Sequence, residues 1–318
     1  MATDVISFSP PRGMRDFYPE DMVLRNAVFD AWSAAARQSG FDEYDACVVE
    51  SLALLKRKSG EEITDQIYHF KDKSGRELAL RPEMTPTLAR MIVAKQGSLT
   101  MPLKWFTIAQ CFRYERTTRG RKREHYQLNL DVIGESSVSA EAEVIATAAG
   151  AMSRLGLTGK HYQIRFSSRA LLSELLLKLG IEAAHHAATF LALDKRGKIT
   201  DEAIKTLLEN EGVSPEAIPT IFALLEVETL EQARDMLGAE TPAYQDVLAF
   251  LETLDAYGIA DLMSFDISVI RGLSYYTGIV FEAFDTSEGL RAIFGGGRYD
   301  NLLGDIGGAA TSGAGLGF

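Results

Sequence analysis

Apolar and polar positions along this chain fall into two periods, and the switches between them mark its elements. Residues 21–38, DMVLRNAVFDAWSAAARQ, set Met22, Ala27, Val28, Ala31 and Trp32 near helical spacing behind the start signals Pro19 and Asp21. The pattern predicts an amphipathic helix stopped by Gly40. An extended stretch is expected over 44–49, then a hairpin from 67–71 and 76–80 joined by an Asp-Lys-Ser-Gly turn. Residues 85–94 read as a helix. Strands are expected over 103–114 and 126–133, joined by a long basic hairpin loop, followed by an alanine-rich helix over 141–155 and a strand over 162–166.

From Arg169 to about Tyr257 the texture changes to leucine- and alanine-rich helical periodicity with many acids and few strand formers, which predicts a helical insertion. Strand character returns at 265–269 and 279–283, followed by Phe294-Gly-Gly-Gly-Arg298 and the glycine-rich 313–318. Long antiparallel hairpins beside flanking helices indicate α+β, because a doubly wound sheet would alternate strand and helix regularly. The expected organisation is a first part at 1–168, a helical insertion at 169–258 and a second part of the same domain at 259–318.

At 318 residues, with roughly 150 per domain, the chain has room for two domains or one large domain with an insertion. Its 46% hydrophobic and 24% charged residues exclude disorder and coiled coil as the main state. No apolar run approaches the ~18 residues of a membrane span, and Asp4 and Arg12 have no apolar stretch behind them, so a cytoplasmic protein without membrane contact is expected. Cys47 and Cys111 match no metal spacing, which argues against a zinc site or a disulfide framework. The net charge of -11 is unevenly spread: Asp201 to Asp261 holds 14 acids against Lys205 and Arg234, a local balance of -12. The opposite bias appears once, where Arg113, Arg116, Arg119, Arg121, Lys122 and Arg123 face only Glu115 and Glu124. Such a cluster is either a solvated loop or what a polyphosphate needs.

GGGRYD at 295–300 lacks both GxGxxG and GxxxxGK[ST], so it is weak as a nucleotide signature and reads as a glycine-rich strand approached closely by another backbone or a ligand. The five histidines show no ligand spacing, and no GxSxG elbow supports hydrolase chemistry. Three separated segments offer parts of one reaction. Glu83 and Thr85, in Arg81-Pro-Glu-Met-Thr85, supply a carboxylate and a hydroxyl suited to an ammonium group. Arg113 and the loop through Arg123 supply guanidinium groups that grip phosphate oxygens in a fork. Gln127 and Asp131 share one face of a strand, with Asn129 between them, and could read a small polar ligand.

PRGMRDFYP (11–19), RPEMT (81–85), FRYERTTRGRKREHYQLNLDVIG (112–134), RGLSYYTGIVFE (271–282) and GGGRYDNL (295–302) together resemble the class II aminoacyl-tRNA synthetases, and within them the histidyl-tRNA synthetases. The arginine-rich hairpin resembles motif 2 of the class, and RGLSYYTG resembles the histidine-specific signature. The resemblance implies a six- or seven-stranded antiparallel sheet flanked by helices, a homodimer, and ATP-dependent activation of histidine to histidyl-adenylate followed by transfer to tRNA(His). Arg113 and Arg271 would be the catalytic arginines, Arg113 on the α-phosphate and Arg271 bridging it to the histidine carboxylate. Arg121, Arg123 and Glu115 would complete the ATP site, Glu115 facing the adenine. Glu83 and Thr85 would hold the histidine amino group, and Gln127, Asp131 and Tyr276, with Tyr275 beside it, would line the histidine pocket. ATP would enter with Mg2+ as substrate, with no metal held by a protein motif.

Some positions depart from the family pattern. Cys47 stands where the dimer-forming motif 1 has proline, and Asp131 stands where many bacterial members have glutamate. GAGLGF matches only the start of motif 3, so a catalytic fragment without an anticodon-binding domain is expected. A competing resemblance is the regulatory paralogue that acts with ATP phosphoribosyltransferase in histidine biosynthesis; the intact arginine-rich hairpin and Arg271 favour the synthetase. With -12 over residues 201–261, any tRNA contact of the insertion is expected through Lys195, Arg196 and Lys198.

Overall fold

The computed structural model describes residues 7–58, 66–118, 120–195, 199–224, 226–270, 275–287 and 292–318. Helix α1 (Pro19–Gln38) opens on a proline whose missing N–H costs nothing in a first turn, carries Glu20 and Asp21 there, and gives way to Gly40 at φ +76°. It buries Trp32, Ala35 and Ala36, while Val23 and Leu24 stay 71% and 73% exposed. Strands β1 (Asp42–Glu43) and β2 (Val49–Ser51) and helix α2 (Leu52–Lys58) follow, then the hairpin of β3 (His69–Lys71) and β4 (Glu77–Leu80) and helix α3 (Thr85–Lys95). The long pair β5 (Leu103–Phe112) and β6 (Glu124–Ile133) leads into α4 (Ser139–Arg154) and β7 (Tyr162–Ser168). Six helices come next: α5 (Arg169–Lys178), α6 (His186–Leu193), α7 (Asp201–Asn210), α8 (Ile218–Leu224), α9 (Leu230–Leu237) and α10 (Pro242–Ala256). The chain then returns through β8 (Met263–Phe265), β9 (Ile279–Asp285), β10 (Ala292–Arg298), α11 (Leu302–Asp305) and β11 (Gly313–Gly317).

Eight strands form one sheet in the order β1-β5-β6-β11-β10-β9-β7-β8. The six inner strands are antiparallel to their neighbours; only the short edge strands β1 and β8 run parallel to β5 and β7. This exceeds the expected six or seven strands by those short edges. One face of the sheet, carrying Leu128, Leu130, Ile164, Phe166 and Phe281, packs under Val144, Ile145, Ala148 and Met152 of α4. Small side chains on α4 let it lie close, and the same apolar core runs on through Leu175, Phe190, Ile204, Ile221 and Phe250 of the helical stretch.

Two extended segments differ from expectation. Residues 44–49 do not form one strand: Tyr44 bonds to Phe106 O, but the guanidinium of Arg81 takes Ala46 O at 2.9 Å and the Arg81 amide takes Val48 O. The segment therefore crosses from the large sheet to a separate three-stranded sheet, β2-β4-β3. The strand expected at 265–269 lies instead at Met263–Phe265, because the Asp266 carboxylate accepts from the amide and hydroxyl of Ser268 at 3.0 and 2.5 Å and turns the chain.

Candidate active site

Alternation along β6 sends Leu128 and Leu130 into the core, so Gln127, Asn129 and Asp131 stand on the opposite face. Their neighbour in the sheet is the glycine strand β11, where Gly317 pairs with Asn129 and Gly315 with Asp131. A Cβ on Gly315 would lie 2.2 Å from Asp131 Oδ1, one on Gly317 2.3 Å from Gln127 Nε2, and one on Gly313 2.4 Å from the Tyr299 ring. The glycines thus make a flat floor over which polar side chains lie. In β10 the reason is backbone approach: a Cβ on Gly296 would lie 2.1 Å from Gly315 O. GGGRYD is therefore a glycine-rich strand rather than a phosphate loop, and its Arg298 is buried in a two-point ion pair with Glu141.

A small cleft above this floor gathers Glu83, Thr85, Arg113, Gln127, Tyr275 and Tyr276 from segments far apart in sequence. Asn129, Gly295, Tyr299, Gly315, Leu316 and Gly317 complete it. Arg81 is buried and structural, donating to Gln110 O and Ala46 O at 2.9 Å, so it fixes the turn that delivers Glu83 and Thr85 to the start of α3. Arg113 donates from Nε to Pro82 O at 3.0 Å, which ties the end of β5 to the same turn. Burial, then the nearby Arg113 and Arg15, lowers the His125 pKa to about 4, so this ring is neutral at pH 7.

Asp131 lies one layer deeper and does not line the cleft. It is 2% exposed, and Tyr299, which does line the cleft, donates to its Oδ1 at 2.5 Å. Its Oδ2 has no hydrogen-bond partner among the described residues, and the same holds for the buried hydroxyl of Tyr44. Burial pushes the Asp131 pKa up to about 7, against the lowering effect of the Tyr299 hydrogen bond. Burial, then the charge of Asp131, raises the Tyr44 phenol as well, consistent with the two groups facing one another.

Glu115, Arg121 and Arg123 gather at the hairpin between β5 and β6. Arg121 pairs with Glu115, and Arg123 donates from Nε to Glu115 O at 3.2 Å while its guanidinium stacks 3.8 Å from the Tyr114 ring centroid. The Arg123 stem fills the space beside Gly13, where a Cβ would meet it at 2.7 Å. Arg271, Arg119, Arg196 and Lys198 lie outside the described residues. Sequence reasoning left Tyr299 and Tyr44 without roles. Tyr299 lies two residues after the glycine run, separated from it by Arg298, and that proximity was the available signal for it; nothing in the sequence pattern singles out Tyr44. Among the described residues no group of three or more His, Cys, Asp or Glu is placed to hold a metal ion, and no helix is long and apolar enough to cross a membrane.

An antiparallel sheet that carries an arginine-bearing hairpin and a glycine-floored cleft on one face, with helices on the other, is the fold of the class II aminoacyl-tRNA synthetases. The family profile described as histidyl-tRNA synthetase matches residues 13–318. A chloroplastic/mitochondrial histidine–tRNA ligase of Arabidopsis thaliana is 46% identical over 98% of this chain and 64% of its own length. A histidine–tRNA ligase of Natronomonas pharaonis is 42% identical over 96% of this chain and 71% of its own. A solved structure from Bacillus halodurans, titled as an ATP phosphoribosyltransferase regulatory subunit/histidyl-tRNA synthetase, superposes with a TM-score of 0.82 at 23% identity, covering 99% of this chain and 82% of that one, and shows the shared fold. The chain belongs to the histidyl-tRNA synthetase family, and it spans between 64% and 71% of the length of these two relatives.

Proposed function

We propose that this chain activates histidine with ATP, supplied as its Mg2+ complex, and transfers the histidyl group to tRNA(His). The observation that carries the reading is the convergence of Glu83, Thr85, Arg113, Gln127, Tyr275 and Tyr276 on one cleft. In the first step a carboxylate oxygen of histidine attacks the α-phosphorus, the bond to the β-phosphate oxygen breaks, and pyrophosphate leaves with the electron pair. Glu83 and Thr85 hold the amino group, and Gln127, Tyr275, Tyr276 and, one layer down, Asp131 read the imidazole. Arg113 takes the α-phosphate, where charge gathers in the transition state, and Arg271 bridges it to the histidine carboxylate. Glu115, Arg121 and Arg123 hold the nucleotide from the hairpin. A ribose hydroxyl of the tRNA end then attacks the carbonyl carbon and AMP departs. Residues 1–168 and 259–318 act as the catalytic unit, with 169–258 as its helical insertion.

The test is exchange of labelled pyrophosphate into ATP. Exchange that requires histidine, and that no other amino acid supports, is the expected result. A correctly folded chain without histidine-dependent exchange would overturn the catalytic reading in favour of a regulatory role.

The reading includes a homodimer built on α1. Val23 and Leu24 are 71% and 73% exposed, and Val48 and Val49 are 38% and 39% exposed, an apolar surface suited to a two-fold partner. Sedimentation at micromolar concentration should give twice the 34.9 kDa of one chain. A stable species of one chain's mass would contradict it and point to the Cys47 position.

A further inference from the structure

Arg169 is the first residue of α5, yet its side chain reaches out of the helical stretch into the segment that carries the paired tyrosines. Its Nε and Nη2 both donate to Ile270 O at 3.1 Å, and Nη1 donates to Tyr276 O at 3.1 Å. Its backbone N–H donates to Gly278 O at 3.0 Å. One residue thus holds three carbonyls spread over 270–278. The side chain is buried, and its guanidinium carbon lies 5.4 Å from the ring centroid of Phe190 on α6.

Helix stability does not account for this choice. A cation in the first turn of α5 opposes the helix macrodipole, and a buried charge carries a desolvation cost. Local rules are broken in this way where a residue serves something beyond its own element. Here the object served is Tyr276. Its carbonyl is fixed by Arg169, its ring is seated on Gly297, where a Cβ would lie 3.0 Å from Cδ1, and the amide of the next residue, Thr277, donates to Arg298 O at 2.8 Å. Tyr276 in turn sets Tyr275, whose ring centroid is 4.9 Å away and which meets Tyr299 edge-on at 6.0 Å. All three rings line the cleft.

We propose that Arg169 is a positioning residue for the histidine pocket: it fixes the backbone under Tyr275 and Tyr276, and so ties the pocket's aromatic wall to the helical insertion. The inference rests on the histidine reading of that cleft. Arginine is required because a planar fork reaches both Ile270 O and Tyr276 O, whereas lysine offers one compact charge on a flexible stem.

The test uses Arg169→Lys in the full chain, with three readouts: hydrogen exchange of the Thr277 amide, the separate KM values for histidine and ATP in pyrophosphate exchange, and urea unfolding. Thr277 should exchange about tenfold faster or more, as expected of a local opening. The histidine KM should rise on the order of 10²-fold, the usual scale for displaced contacts at a reacting site, with the ATP KM nearly unchanged. Arg169→Ala supplemented with free guanidinium should recover part of the lost histidine affinity. Wild-type Thr277 exchange and a wild-type histidine KM in Arg169→Lys would overturn the proposal. Equal losses for histidine and ATP alongside a lowered urea midpoint would also overturn it, by making Arg169 a general stability residue. A wild-type chain lacking histidine-dependent exchange would overturn the pocket reading instead, and the tyrosine anchor then stands or falls on the Thr277 amide alone.

Discussion

Replacing Arg298 by alanine should cost about 3–5 kcal/mol of folding stability, the scale for removing one partner of a buried ion pair. Arg298 donates to Glu141 through Nε at 2.7 Å and Nη2 at 2.5 Å, and to the carbonyls of Ser137 and Glu135 at 2.6 and 3.3 Å. Glu141 is fully buried, so the carboxylate left behind would have neither water nor a cation. Loss of the guanidinium also frees the first turn of α4 from strand β10, and with it the segment around Thr277, whose hydroxyl donates to Asp300 at 2.6 Å. Urea unfolding would measure the loss. The double variant Arg298→Met with Glu141→Leu should recover most of it, since a buried pair can often be exchanged for apolar residues of similar volume. Should Arg298→Ala unfold within about 1 kcal/mol of the wild type, water must reach Glu141 and the pair is not a clamp.

Elements whose pattern is local were legible before the fold was known. Helix α1, the long strands β5 and β6, alanine-rich α4 and the helical run after Arg169 carry their periods in the sequence and lie within a few residues of expectation. Segments governed by distant side chains were not. Residues 44–49 read as one extended stretch, but Arg81 takes the carbonyls of Ala46 and Val48, and an arginine more than thirty positions away leaves no mark on local hydropathy. The site divides in the same way. Glu83, Thr85, Arg113, Gln127, Tyr275 and Tyr276 sit in recognisable motifs and meet in the cleft. Tyr44 stands between charged residues in a stretch with no motif, and only the three-dimensional path of the chain brings it near Asp131. Arg169 looked like an ordinary first residue of a helix, because its role lies in carbonyls a hundred residues on.

Asp131→Asn should separate stability from function. The carboxyl has a folded pKa of about 7 against the usual 3.8, with burial as the main cause. A folded pKa above the unfolded one means that the native state binds more protons between those values, so the contribution of this carboxyl to stability is greatest below about pH 4 and is lost as pH rises through about 7. At pH 8 the buried charge costs on the order of a few kcal/mol. The asparagine variant removes that titration while its carbonyl can still accept from Tyr299. It should unfold at higher urea concentration than the wild type at pH 8, with the difference shrinking toward pH 4. Tyr299→Phe should do the reverse to the carboxyl, since losing the one hydrogen bond that lowers its pKa moves the midpoint of this pH dependence upward. Histidine affinity should move the other way in Asp131→Asn. Once bound histidine displaces the Tyr299 hydroxyl that caps Oδ1, the carboxylate becomes the acceptor for an imidazole N–H, and losing a charge-assisted hydrogen bond of this kind should weaken histidine binding by on the order of 10²-fold. ATP binding should stay within about twofold, because the residues proposed for the nucleotide, Arg113 at the end of β5 and Glu115, Arg121 and Arg123 on the hairpin, lie outside strand β6, which carries Asp131. Calorimetry with each ligand separately, at pH 8, checks both halves. A variant that is more stable yet binds histidine as tightly as the wild type would show that Asp131 serves only to seat Tyr299.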